Sequence, residues 1–273
     1  MTLPDCQELL LGVDDGILTI ALNRPHKRNA MNSELVAEIM TVVESIQDDA
    51  SLRAIVFRGA EGNFCSGGDI SGMNMEQMDE ATAAEATWEF NRAFGRMVTL
   101  VNRAPQIIVA ALEGAVMGGG LGLACISDVA ITDKNALFSM PETALGIIPA
   151  QIAPFVVARI GLTQARRLAL LGDRVDGEEA VRLGIAHILT FSNDELDEAL
   201  EKVKLRIRSR APNATAATKR LLFDVGVVEH ELLLDAAADA FTTALRSEEG
   251  KEGTAAFLEK RKPSWTNPDE DAS

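Results

Sequence analysis

The sequence predicts an α/β fold with a helical C-terminal region, on three observations. First, an apolar run, Ile107–Leu112, reads as a buried strand, and four glycines in five residues follow it at Gly118-Gly119-Gly120-Leu121-Gly122. The small apolar residues Leu123-Ala124-Cys125 then open a helix. Second, another strand, Leu52–Phe57, runs into a glycine turn at Gly67-Gly68. Third, the chain from Ala214 onward is helical in period. A glycine costs about 1 kcal/mol against alanine inside a helix. Glycines therefore suit places where backbone passes close to a neighbour, or where a helix begins on bare N–H groups. Strand, glycine turn and helix N-terminus together form a site for negative charge. Close packing of a helix on a strand would explain the Gly118–Gly122 glycines equally well taken alone; the second turn favours function.

In chain order, residues 8–13 and 17–22 are short apolar runs around Asp14-Asp15-Gly16, a hairpin signal. Asn23-Arg24-Pro25 breaks the second run. The loop His26-Lys27-Arg28-Asn29 holds the densest positive charge of the first half, as a solvated turn or an anion contact. Asn32 or Ser33 caps a helix with Val36, Ile39, Val43 and Ile46 on one face. After the Gly67-Gly68 turn, Asp69 is placed to cap the next segment. Residues 72–86, with Met73, Met75 and Met78, read as a mobile helical lid or a plain surface helix. A longer helix is expected over 87–103, and a short strand at Val129–Ile131. Glu142 lies among Met140, Pro141, Ala144, Leu145 and Ile147. Apolar surroundings would raise its pKa and let it trade protons; a helix-start glutamate in water is the alternative. Three amphipathic helices span Gln151–Leu183, punctuated at Gly161 and Asp176-Gly177. A charged helix covers Asp194–Arg210, and Ala211-Pro212-Asn213 is the best boundary. This divides the chain into a core, 1–210, a helical appendage, 211–262, and an acidic, frayed tail, 263–273.

Composition excludes several classes. The net charge of −15 repels phosphate backbones and anionic membranes, and 4% aromatic residues with no Tyr cannot build a base-stacking platform. No nucleic acid or membrane partner is expected, and no apolar run reaches the ~18 residues of a membrane span. No signal peptide is expected ahead of Asp5. Cys6, Cys65 and Cys125 are few and scattered, as reduced thiols in a cytoplasm would be. His26, His187 and His230 lack metal-ligand spacing, so no metal is expected. Gly-x-Gly-x-x-Gly fails at Leu123, no Gly-Lys-Ser/Thr follows the glycines, and no Gly-x-Ser-x-Gly elbow surrounds Ser66.

Asn23-Arg24-Pro25 with Asn29-Ala30, Phe64-Cys65-Ser66-Gly67-Gly68-Asp69, Gly118-Gly119-Gly120, Ser127-Asp128, Pro141-Glu142 with Gly146, and Phe257–Pro263 occur in that order. The ordered set resembles the crotonase, or enoyl-CoA hydratase/isomerase, superfamily nearly end to end. Within it, Pro149–Phe155 and Ala211–Ala214 resemble the isohexenylglutaconyl-CoA hydratases of acyclic terpene breakdown. The resemblance implies a crotonase-like spiral of ββα units with a C-terminal α-helical trimerisation region, forming a homotrimer or a hexamer built as a dimer of trimers. It implies an acyl-CoA substrate and no cofactor beyond the coenzyme A of that substrate. The Gly68 and Gly119 N–H groups would hold the thioester oxygen as it becomes an enolate. His26, Lys27, Arg28, Ser66, Ile70, Phe241 and Lys260 would contact CoA, the last two from a C-terminal region that a neighbouring subunit could supply.

One departure bears on the chemistry. Hydratases of this family commonly use two glutamates, one after the Gly-Gly-Gly turn and one in the Pro-Glu motif. The first position here is Gly122, which leaves Glu142 alone. Hydration through Glu142 is the expected activity, with Glu76 or Glu80 of the 72–86 segment as candidate helpers. A Δ3,Δ2-enoyl-CoA isomerase, which needs one carboxylate, is the second reading, and a non-catalytic CoA-binding scaffold the third. Gln151 is a candidate contact for the second carboxylate of a glutaconyl group.

Overall fold

Strands β1 (Leu9–Asp14) and β2 (Ile17–Leu22) form the expected antiparallel hairpin in the computed structural model, which describes residues 3–69 and 79–266. Asp15 and Gly16 both take positive φ, 41° and 75°. That pair of dihedrals suits a two-residue turn whose twist matches the strands. Helix α1 (Ser33–Ile46) starts where the Asn32 side chain accepts a hydrogen bond from the Leu35 N–H at 2.9 Å.

From β2 the sheet grows by parallel addition of β3 (Ala54–Gly59), β4 (Ile107–Leu112), β6 (Val129–Asp133) and β9 (Ile188–Thr190), giving the order β1-β2-β3-β4-β6-β9. The runs Ala54–Phe57, Ile107–Leu112 and Val129–Ile131 are unbroken apolar stretches because both faces of these strands are covered. Ile55 and Phe57 join the core that contains the apolar face of α1. Ala54 and Val56 pack with Leu196, Leu200, Val203 and Ile207 of α6 (Asn193–Arg208).

A second, smaller sheet explains the spiral. Met31 bridges Gly68, Cys65 bridges Val116 in β5 (Ala115–Met117), β5 pairs with β7 (Leu137–Ser139), and β7 pairs with β8 (Arg174–Val175). Each circuit thus gives one strand to the large sheet, a short one to the small sheet, and then a helix. The second circuit is β3, residues 65–68 and α2 (Glu80–Arg103). The third is β4, β5 and α3 (Gly119–Ile126), and the fourth is β6, β7 and α4 (Ala153–Leu171).

Gly161, at φ 74° and ψ 159°, kinks α4. With α5 (Gly177–Leu183), capped by Asp176, this yields the three helical segments expected after Gln151. The 211–213 break is a helix start, with Pro212 in the first turn of α7 (Pro212–Asp224). Helices α8 (His230–Arg246) and α9 (Glu248–Glu259) complete the appendage.

Two expectations need correction. The helix expected over 87–103 begins at Glu80, with Asp79 accepting from the Thr82 N–H at 3.1 Å. The second half of the supposed lid is therefore the opening of α2. Its first half, with Met73, Met75, Glu76 and Met78, lies outside the described residues. No helix among the described residues is long and apolar enough to cross a membrane.

Candidate active site

The site sits at the ends of the small-sheet strands of three successive circuits. Cys65 N–H donates to the Ala115 carbonyl at 2.8 Å and Met117 N–H to the Cys65 carbonyl at 2.9 Å. Residues 64–68 therefore run beside β5, and the two glycine turns emerge side by side. On the other edge, Met31 N–H donates to the Gly67 carbonyl and Asp69 N–H to the Met31 carbonyl, both at 2.8 Å. In such a ladder the Gly68 N–H points away from Met31, toward the β5 side. Gly119 is the first residue of α3, so its N–H has no intrahelical acceptor. Neither N–H donates to a backbone carbonyl among the described residues. Open space lies over Gly68, where an added Cβ would meet nothing within 4 Å.

Glu142 belongs to the fourth circuit. A 3-10 turn, Pro141–Leu145, follows β7 and ends at left-handed Gly146. The Glu142 Oε1 lies 3.0 Å from the point a Cβ on Gly118 would occupy, and the Gly67 Cα is 3.5 Å from that point. The carboxyl group thus hangs over the junction of the two turns. Its Oε2 is buried without a hydrogen-bond partner among the described residues. Burial pushes the Glu142 pKa above its ordinary value of 4.5, opposed by its own backbone N–H. Gly118, at φ 49° and ψ −118°, and Gly67, at φ 111°, take conformations that favour glycine.

The packing explanation is also correct, for Gly120 and Gly122, while Gly119 serves both purposes. A Cβ on Gly119 would sit 2.7 Å from Met31 Cε and 3.0 Å from Phe94 Cζ; one on Gly120 would sit 2.7 Å from Cys65. At Gly122, the position of the absent second glutamate, it would meet Ile152 Cγ2 at 2.5 Å. An apolar side chain fills that place.

Of the other candidates, His26 and Lys27 lie in an exposed 3-10 turn, and Arg28 comes next in left-handed backbone. Ser66 ties this loop to the glycine turn: its N–H donates to the Arg28 carbonyl and its Oγ to the Lys27 carbonyl, both at 3.0 Å. Ile70 lies outside the described residues. Phe241 is on α8, in a groove it lines with residues of α7, α9 and Trp265; Lys260 ends α9 in left-handed backbone. Neither the glycine turns nor the 26–28 loop lines that groove. Cys65 is no nucleophile, since burial pushes its thiol up to about 12. Among the described residues, no group of three His, Cys, Asp or Glu could hold a metal.

Sequence reasoning misses the role of Arg24, which reads as part of a strand break and of the family motif, with no partner assigned. It is buried and pairs with Glu8 at 3.1 Å and with Asp69 at 3.0 Å, tying down the residue after Gly68. Asp69 is expected as a cap; its carboxylate meets Arg24, and the chain it would cap lies outside the described residues. The one signal for Arg24 is a long cation set between the end of an apolar strand and a proline.

A family model described as Enoyl-CoA hydratase/isomerase matches residues 12–268. Among solved structures, the chain is similar to Pseudomonas aeruginosa AtuE, at 52% identity and a TM-score of 0.92, covering 96% of this chain and 100% of that one. It is similar to an enoyl-CoA hydratase/isomerase from Marinobacter aquaeolei, at 50% identity and a TM-score of 0.93, with coverage of 96% and 100%. A probable enoyl-CoA hydratase of Bacillus subtilis (strain 168) is 30% identical over 256 residues, 93% of this chain and 97% of that protein. Matched in both sequence and fold over nearly its whole length, the chain belongs to the enoyl-CoA hydratase/isomerase family of the crotonase superfamily, whose members act on acyl-CoA thioesters.

Proposed function

We propose that the enzyme hydrates an enoyl-CoA through an oxyanion-stabilised enolate, with Gly68 and Gly119 as the N–H donors and Glu142 as the proton-transfer group. The observation that carries this reading is the Glu142 carboxyl over the junction of the two glycine turns, with one oxygen buried and unpartnered among the described residues. The thioester oxygen would accept both N–H groups. Water attacks the β-carbon, and the double-bond electrons move onto the thioester oxygen. Glu142 takes the water proton and returns it to the α-carbon as the enolate collapses, leaving a 3-hydroxyacyl-CoA. A raised pKa suits a group that must both accept and release a proton. Each preset oxyanion donor is worth about 3–4 kcal/mol in other enzymes.

The exposed cations of the 26–28 loop supply a local anchor for the CoA phosphates, against an overall charge of −15, and the Ser66 backbone lies near the adenine. Phe241 and Lys260 complete it from the C-terminal helices of a neighbouring subunit in a trimer or hexamer, in the cytoplasm. The residues at Pro149–Phe155 and Ala211–Ala214 support an isohexenylglutaconyl acyl group.

The Ile152 side chain over Gly122 favours one alternative, a Δ3,Δ2-enoyl-CoA isomerase, because it leaves a single carboxylate. Incubation with crotonyl-CoA, a 3-enoyl-CoA and a 3-methylglutaconyl-CoA separates the two. Hydration predicts a 3-hydroxyacyl product that Glu142→Gln no longer makes. Solvent deuterium entering the γ-carbon of the 3-enoyl-CoA as it becomes a 2-enoyl-CoA, with no water added, would assign the isomerase, and binding without turnover of any substrate would make the protein a scaffold.

A further inference from the structure

The turn that carries Glu142 has little packing to hold it. Met140 before it and Ile152 after it are buried, but Leu145, Ile147 and Ile148 between them are exposed. Its backbone bonds close within the turn: the Gly146 N–H donates to the Thr143 carbonyl and the Ile147 N–H to the Glu142 carbonyl. Among the described residues, one hydrogen bond leaves residues 141–148 for another element. It runs from the Thr143 hydroxyl to the Ala169 carbonyl of α4, at 3.1 Å.

A second hydroxyl reaches the same place from the strand before the turn. Ser139, the last residue of β7, is buried, and its Oγ donates to the Gly172 carbonyl at 3.2 Å. The Ser139 carbonyl accepts the Gly118 N–H at 3.0 Å, so this residue also joins the Glu142 strand to the turn that opens α3. Both acceptors lie at the C-terminus of α4, which ends at Gly172 in left-handed backbone, φ 64°. The last carbonyls of a helix lack intrahelical donors and are open to hydroxyls from elsewhere. Helix α4 is itself fixed, with Ala165 and Leu168 in the core. It therefore offers the Glu142 turn two stationary acceptors.

We propose that Thr143 and Ser139 are positioning residues, whose hydroxyls pin the Glu142 turn to the C-terminus of α4 and so set the carboxyl group over the two glycine turns. This rests on the reading of Glu142 as the proton-transfer group. Each bond contributes little to stability, at about 1 kcal/mol. Proton transfer is far more sensitive to placement, since a shift of about 1 Å can cost on the order of 10² in rate.

Steady-state kinetics test it, on whichever of crotonyl-CoA, a 3-enoyl-CoA and 3-methylglutaconyl-CoA the wild type converts. Thr143→Val keeps the shape of the side chain and removes its hydroxyl. It should lower kcat about tenfold and leave KM within about twofold, as loss of an interaction felt only in the transition state does. The melting midpoint should barely move, because Thr143 is exposed. Thr143→Ser should return most of the rate. Ser139→Ala should act in the same direction, and the double variant should lose more than either. In Glu142→Gln, adding Thr143→Val should change the residual rate less than about twofold, since no carboxylate remains to be placed. An unchanged kcat in the double variant, a loss confined to KM, or a full tenfold loss in the Glu142→Gln background overturns the positioning role alone. An undiminished rate in Glu142→Gln, or conversion of none of the three thioesters by the wild type, overturns the Glu142 reading and the positioning role with it.

Discussion

A carboxyl group with one oxygen buried and unpartnered costs stability whenever it is charged, and Glu142 is such a group among the described residues. Its pKa lies above 4.5 in the folded chain. The folded state therefore holds the proton more tightly than the unfolded state does. The associated stability is fully present below 4.5 and is lost as pH rises through the raised value. Glu142→Gln keeps the shape without the charge. It should raise the melting midpoint at neutral pH and leave it nearly unchanged at about pH 4, by differential scanning calorimetry. Its effect on rate has the opposite sign. The carboxylate must be unprotonated to accept the water proton, so kcat/KM should fall as pH drops below the raised pKa. Glu142→Gln should remove that acid limb with a loss of about 10²–10⁴ in kcat/KM, while the affinity for free CoA changes little. A gain in rate with a gain in stability would contradict the assignment. Gly118→Ala should lose activity as well. It places a methyl group 3.0 Å from Glu142 Oε1 and in backbone at φ 49°.

At the scale of elements, the site depends on three short neighbouring strands, residues 65–68, β5 and β7. Arg24 holds the end of the first of them by its contact with Asp69. Replacing Arg24 by Met would remove the buried cation that pairs with the half-buried Glu8 and Asp69 carboxylates, at a cost of at most about 3–5 kcal/mol. Arg24→Met should therefore lower the melting midpoint, and kcat should fall more than CoA affinity as the Gly68 N–H loses its alignment. The vacated glutamate position makes a second test. Gly122→Glu alone should not increase hydration, because Ile152 occupies the space; overpacking should instead cost about 1–3 kcal/mol. Adding Ile152→Ala should recover part of that stability. These elements also divide into those legible in the sequence and those hidden from it. The hairpin, the Asn32 cap and the kink at Gly161 are legible because each is local: turn residues between apolar runs, a side chain that reaches three residues on, a lone glycine in a helical period. Strands β5, β7 and β8 are not, since two or three residues show no period, and their pairing joins distant segments. Glu142 stands out for its apolar neighbours in sequence. Arg24 does not, because its meaning comes from the carboxylates that lie across the fold.

At the scale of the whole molecule, the C-terminal helices leave apolar surface without cover. Val227 is 80% exposed, Phe241 67%, Phe257 83% and Leu258 78%. Isolated exposed residues are ordinary, but monomers rarely display this many on one appendage. The groove lined by α7, α8 and α9 is apolar and carries Phe241. Association through residues 211–262 would cover these side chains and bring Phe241 and Lys260 of one subunit toward the 26–28 loop of the next. The two consequences are linked, which makes the arrangement testable. Light scattering should give a trimer or hexamer for the wild type. Leu258→Asp, which sets a charge into the apolar surface, should shift the population toward monomer. CoA should then bind more weakly and with less dependence on protein concentration, although no residue of the glycine turns has changed. A monomeric variant with undiminished CoA affinity would confine the CoA site to one subunit and remove Phe241 and Lys260 from it. The opposite result would mean that the appendage is half of the substrate site, and that dilution alone should depress kcat/KM.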